Sequence, residues 1–162
     1  MSKKYKNFKN YHRILILIYF ALLQGILFFM VVVYFTKKHT YFKFESSDYK
    51  LIAGLSLALI SIILSFYLYR YLLQKAIREA DMHTKLEYYS TAFITKMAIL
   101  ELAAMFNVAV FRETGNKYFL IFTAISLLGM MLSHPSLYKI QNDLKLEGEA
   151  RSYIENQEKE FD

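Results

Sequence analysis

Apolar residues in this chain fall into four long runs, and polar residues gather in the segments between them. The runs cover about residues 14–36, 51–73, 90–111 and 118–134. Crossing the hydrocarbon core of a bilayer takes about 20 mostly apolar residues in a helix. The pattern therefore predicts an all-α integral membrane protein of four transmembrane helices, forming a single membrane domain over residues 1–162. The fourth run is the shortest, but it follows the third across a short polar turn, Arg112 to Lys117, and reads as its hairpin partner. No stop signal follows Leu73, because Gln74 to Ala80 are good helix formers. The second helix is thus expected to project out of the bilayer as far as a polar turn near Asp81 to Thr84. Past Pro135, residues 136–162 form a charged tail in which Leu137, Ile140 and Leu144 recur at helical spacing until Gly148. Such an amphipathic tail is expected to be solvated or docked on the protein itself.

Composition supports a lipid environment. At 56% hydrophobic and 17% aromatic over 162 residues, the chain has more apolar surface than one small soluble core needs. The first run follows a basic start, Lys3, Lys4, Lys6, Lys9 and Arg13. It exceeds the roughly 7–15 residues of a signal-peptide core and lacks a small-residue cleavage site, so it is expected to be a retained span. Cysteine is absent, which excludes disulfides, thiolate metal sites and cysteine nucleophiles.

The net charge of +6 is not gathered on one hydrophilic face. Lys and Arg sit mostly at the ends of the apolar runs, which points to lipid headgroups rather than nucleic acid. With the N-terminus inside, 5 fall in the N-terminal segment, 4 around the middle loop and 4 at the C-terminus, against 6 outside. Thirteen against six predicts that both termini are cytoplasmic. Tyr67, Tyr69 and Tyr71 on one side, and Tyr34, Tyr41, Phe42, Tyr118 and Phe119 on the other, look like interfacial aromatic belts.

A shift of 77 residues pairs residues 21–42 with 98–119 without a gap, with identities that include Ala21/Ala98, Phe29/Phe106, Tyr41/Tyr118 and Phe42/Phe119. The second members of the two hairpins correspond at a different offset, Leu64-Ser65 with Leu132-Ser133. The pattern predicts two tandem, duplicated helical hairpins, arranged as parallel repeats about an axis along the membrane normal.

In that alignment Gln24 corresponds to Glu101, each near the middle of its span. An acid at a helix centre costs about 2.5–3.5 kcal/mol on insertion scales and ordinarily faces the bundle interior beside a partner. Glu101 is accordingly the principal candidate site, with Gln24 its expected contact across the pseudo-axis. Lys96 lies about 140° round the helix from Glu101, and Asn107 about 120° round in the opposite sense, so those two share a different face. Lys96 is expected to extend its stem toward the cytoplasmic interface. His134, beside Pro135, is expected to be an interfacial residue at the break in the fourth helix. Lys96, Asn107 and His134 are secondary candidates.

The stretch Ala-Ile-Leu-Glu-Leu-Ala-Ala-Met-Phe, residues 98–106, within tandem hairpins, resembles the proteolipid c subunits of rotary ATPases. That likeness covers about one span. It implies proton or sodium carriage on the acid, although those proteolipids hold the acid on the second helix of a hairpin and this chain holds it on the first. The short four-helix multidrug transporters also use a membrane glutamate, in their first span, where Gln24 stands here. As a whole the chain resembles uncharacterised small bacterial four-span membrane proteins, which implies the cytoplasmic (inner) membrane of a bacterium.

His12, His39, His83 and His134 are scattered without metal-ligand spacing, and no nucleophile elbow or phosphate-binding glycine loop is present. The expectation is a non-enzymatic protein without a metal or cofactor. It would act as an accessory or assembly subunit packing with itself, as a homo-oligomer, or with a larger membrane complex. The alternative is a proton- or cation-coupled transport component centred on Glu101.

Overall fold

The computed structural model describes residues 7–44, 48–148, 154 and 156. The basic residues Lys3, Lys4 and Lys6, and most of the tail beyond Gly148, lie outside the described residues. The regular structure of the described residues is all helical, in the order α1 (Phe8–Thr36), α2 (Tyr49–Arg78), α3 (Met82–Thr114), α4 (Tyr118–Met131) and α5 (Leu137–Leu144). Three of these, α1, α2 and α3, are long and apolar enough to cross a membrane. At 29, 30 and 33 residues they run to about 44–50 Å, longer than the ~30 Å hydrocarbon core, so their ends project beyond it.

Each long helix starts where a short polar side chain satisfies a free backbone N–H. Asn7 accepts from Asn10 N at 3.0 Å, Asp48 from Lys50 N at 2.9 Å, and Asp81 from both Thr84 N at 2.8 Å and Thr84 Oγ1 at 2.7 Å. The α2–α3 connection lies at the polar turn read from the sequence, with α2 ending at Arg78. At the opposite end, α3 stops on Gly115, which adopts a left-handed conformation with φ 80°. A Cβ there would lie 2.5 Å from the His39 carbonyl oxygen, so both the turn and the close approach require glycine.

The fourth apolar run forms a shorter helix than the expected 118–134. α4 has 14 residues, about 21 Å. Its end tightens into turns, Ser133 N donating to Met130 O and His134 N to Met131 O, and Pro135 follows.

α3 is the hub. It packs against α1, α2 and α4, while α2 also packs against α4 and α5. α1 lies mainly along α3 and leaves much of its apolar surface outward, with Phe28 72% and Phe35 80% exposed. The α2–α3–α4 seam is lined by small residues: Gly54, Ala58, Ser61 and Ser65 on α2, Ala103 and Ala104 on α3, and Thr123, Ser126 and Gly129 on α4. Their size lets the backbones approach closely, which is how helices gain packing in lipid, where the hydrophobic effect does not drive one against another.

The segment 37–44 is tied to the α3–α4 turn. Tyr41 N donates to Gly115 O at 3.1 Å, Lys117 N to Tyr41 O at 2.9 Å, and Asn116 Nδ2 to Lys43 O at 2.7 Å. Lys37 Nζ donates to the carbonyls of Arg112 and Glu113, where the last turn of α3 presents unpaired acceptors. Lys50 pairs with Glu113 at 2.5 Å. At the other end of the bundle, α5 is capped by Ser136 and buries Ile140 and Leu144 in a core that includes Phe8, Tyr11, Ala76 and Leu86. The tail helix is thus docked on the protein.

Candidate functional site

The two faces of α3 carry different chemistry. Lys96, Leu100, Ala103, Ala104 and Asn107 recur at three- and four-residue steps and all are buried. They meet α2 and α4, so the interior polar face of the third helix belongs to Lys96 and Asn107. Glu101 lies about 140° away from Lys96 on an ideal helix. It is half-buried, in a groove of about 600 Å³ lined by Phe29, Ala98, Leu102, Met105, Phe106 and Ala109.

Glu101 therefore opens toward the membrane-facing surface rather than the bundle interior. Gln24 is exposed on α1, and the two side chains share no hydrogen bond among the described residues. The hydrogen bond expected between them across the pseudo-axis is not formed, and packing supplies the reason. The small-residue stripe of α2 meets the Ala103–Ala104–Asn107 face of α3 and brings that face inside, which turns Glu101 outward.

Lys96 is 2% exposed, and its stem runs toward the end of the bundle that carries α5, with Nζ 3.9 Å from the Phe66 ring centroid and 5.0 Å from that of Tyr69, so it is covered by protein rather than open to solvent. Two aromatic faces supply the negative potential that replaces water around the ammonium. Tyr69 then donates its hydroxyl proton to Asp143 Oδ2 at 2.5 Å. A buried cation in α3 is thereby connected, through one phenol of α2, to an acid on the docked tail helix.

Asn107 is fully buried, its Nδ2 donating to Ala103 O at 3.0 Å and Gly54 O at 3.4 Å. Among the described residues its Oδ1 has no hydrogen-bond partner, nor has Ser126 Oγ on α4. These groups form a polar band inside the apolar bundle together with Thr123, whose Oγ1 donates to Phe119 O at 2.9 Å. His134 lies at the turn after α4, edge-on to Tyr19 with ring centroids 5.2 Å apart. Beside it, His12 Nε2 is 2.9 Å from Pro135 O.

Comparison with family models, with curated proteins and with solved structures gives no match. The chemistry must be read from this chain alone.

Two arrangements emerge. One is an outward acid in a shallow apolar groove; the other is an inward, aromatic-caged lysine joined to the tail. Sequence reasoning picked out Glu101, Lys96 and Asn107 but missed Phe66 and Asp143 as partners. A signal for the seam was present in the spacing of Gly54, Ala58, Ser61 and Ser65, small residues three and four apart along one helical face. The Tyr69–Asp143 contact, between residues 74 positions apart, has no such signal.

Proposed function

We propose that this chain is a small, non-enzymatic membrane subunit whose Glu101 groove receives a transmembrane helix of a partner protein or of a second copy. The observation that carries the proposal is the placement of Glu101. The carboxyl sits near the middle of α3, without a hydrogen-bond partner among the described residues, and opens onto an apolar surface. Leaving it against lipid tails is unfavourable by a few kcal/mol, whereas a helix bringing a polar donor satisfies it. Ala98 and Ala109 leave room for such a helix, and Leu102, 68% exposed, offers an apolar anchor. Outward apolar residues on α1, such as Phe28, extend the surface open to association.

The same proposal takes α4 as a fourth, short span beside the three long ones, with both termini in the cytoplasm of a bacterium and the protein in its cytoplasmic membrane. The excess of Lys and Arg at the α1 start and the α2–α3 turn supports that orientation. The basic segment between α1 and α2, which weakens the charge count, has a structural use in Lys37 and Lys50. Tandem duplication of a hairpin rests on the alignment of residues 21–42 with 98–119. The two hairpins have since become unequal, because α3 and α4 pack closely whereas α1 lies chiefly on α3.

Proton- or cation-coupled transport remains the competing function for Glu101, and one variant series separates the two. A photo-reactive residue replacing Leu102 is expected to cross-link a protein helix in membranes of the native host. Glu101→Leu should abolish that cross-link, and Glu101→Gln, which still hydrogen-bonds, should retain most of it. Cross-linking to lipid alone would sink the subunit assignment. A cross-link retained in Glu101→Gln together with loss of cellular activity would favour transport.

A further inference from the structure

On the same outer face of α3, nearer the α2–α3 turn, lies a second cavity of about 500 Å³ between α1 and α3. Its polar wall is Tyr11, Glu87, Ser90 and Thr91, and its apolar wall includes Ile14, Ile18 and Ile94. The hydroxyl hydrogens of the polar wall are already committed within the protein. Tyr11 donates to Leu86 O at 3.1 Å, Ser90 Oγ donates to the Tyr11 hydroxyl at 3.1 Å, and Thr91 Oγ1 donates to Glu87 O at 2.9 Å. What Ser90 and Thr91 present to the cavity is oxygen lone pairs, beside the Glu87 carboxylate, the charged group among the described lining residues.

A site made of acceptors selects a donor. Phosphate, sulfate and carboxylate bring only further acceptors, whereas a primary ammonium brings three N–H donors and a positive charge. The apolar wall specifies the rest of the ligand. Ile14 and Ile94 are 41% and 38% exposed on the surface that faces lipid, and they continue the cavity toward Ala98. Glu87 precedes the apolar run of α3 by three residues and Ile94 lies inside it, which sets the acid at headgroup depth and the isoleucines at acyl-chain depth.

We propose that this cavity binds a phospholipid with a primary-ammonium headgroup, of the phosphatidylethanolamine type, with the ammonium on Glu87, Ser90 and Thr91 and an acyl chain along Ile14, Ile18 and Ile94. The proposal rests on the chain lying in a membrane but not on Glu101 having a partner. The ammonium site is set apart from the acid of the Glu101 groove, Glu101 lying about 21 Å further along α3 than Glu87.

The test is native mass spectrometry of the full chain released from vesicles holding equal phosphatidylethanolamine, phosphatidylcholine and phosphatidylglycerol with identical acyl chains. The choline lipid keeps the positive charge and lacks N–H donors; the glycerol lipid has hydroxyl donors but a net negative charge. Retention of phosphatidylethanolamine is expected at about tenfold over either, the scale of one charge-assisted hydrogen bond. Glu87→Gln, on the exposed helix surface, is expected to bring the three close to parity. Ile94→Trp is expected to fill the cavity and lower retention of all three at unchanged helix content. Equal retention by the unmodified chain overturns the proposal, as does an ethanolamine preference surviving Glu87→Gln. Displacement by soluble phosphoethanolamine at matched concentration overturns the assignment to a lipid.

Discussion

At the scale of the residue, the third helix shows how packing rather than polarity decides which side chain goes inside. Glu101 is the acid, yet Lys96 and Asn107 are buried and Glu101 is not. The deciding residue is as much Gly54 as any charged group. An added Cβ there would lie 2.6 Å from Asn107 Oδ1 and 2.8 Å from the Phe119 ring, and Phe119 is itself fully buried. Neither neighbour has free space to retreat into, so Gly54→Ala is expected to destabilise the bundle by about 1–3 kcal/mol through overpacking. Gly25 in α1 supplies the control, since nothing lies within 4 Å of its notional Cβ. Gly25→Ala should be neutral, or stabilising by up to ~1 kcal/mol from helix propensity alone. Thermal unfolding in detergent, followed by circular dichroism, separates the two. If both variants melt alike, close packing at the α2–α3 seam is not what orients α3.

At the scale of the element, the apolar stretches were legible but not where their helices begin: the runs at 14, 51 and 90 lie inside helices that start at Phe8, Tyr49 and Met82, and helix faces were the least legible. Asp81 stands in the polar turn that the sequence marked, and the structure makes it the cap of α3. Hydrogen bonds from Thr84 Oγ1 and Thr84 N to its carboxylate hold its pKa below the ordinary carboxylate range. The sign of the linkage follows. The cap's contribution is complete above the unfolded-state pKa of about 3.9 and is lost as pH falls through the lower folded-state value. Asp81→Ala is expected to cost about 0.5–2 kcal/mol at neutral pH. The difference in melting temperature between Asp81→Ala and the unmodified chain should narrow as the pH drops below the ordinary carboxylate range. A gap that stays constant on acidification would show that the ionised carboxylate is not what stabilises the turn. Faces were harder to read because α3 is apolar almost all round. Leu100 and Leu102 look equivalent in sequence, yet one is fully buried and the other 68% exposed. Only the small-residue stripe on another helix distinguishes them.

At the scale of the whole molecule, the three long apolar helices and their order were legible because each long run is set by bilayer thickness, a local property of the chain, whereas the fourth run forms only the 14-residue α4. Relative placement was not, because it depends on contacts between distant residues. The mapping of Gln24 onto Glu101 treated α1 and α3 as equivalent partners about an axis, but α3 is central and α1 lies along its side. The docking of α5 likewise depends on Tyr69 and Asp143 meeting from separate helices. A chain without cysteine makes this arrangement directly testable. Lys37 Nζ reaches the Arg112 carbonyl at 2.9 Å, where α1 and α3 end side by side, and the Lys37 and Arg112 side chains lie near the surface. Lys37→Cys with Arg112→Cys should therefore be joined within one chain by a short bismaleimide. Gln24→Cys with Glu101→Cys should not be joined within one chain, because exposed Gln24 lies about 160° round α1 from the buried Ile26 and so points away from α3. Gel mobility separates the two products, since a link within a chain leaves the mass of a monomer and a link between chains doubles it. A monomeric 24–101 product would restore the symmetric axis contact and contradict the outward orientation of Glu101. A doubled 24–101 product would instead place the exposed α1 surface of one copy against the Glu101 groove of another, making the second copy the occupant of that groove.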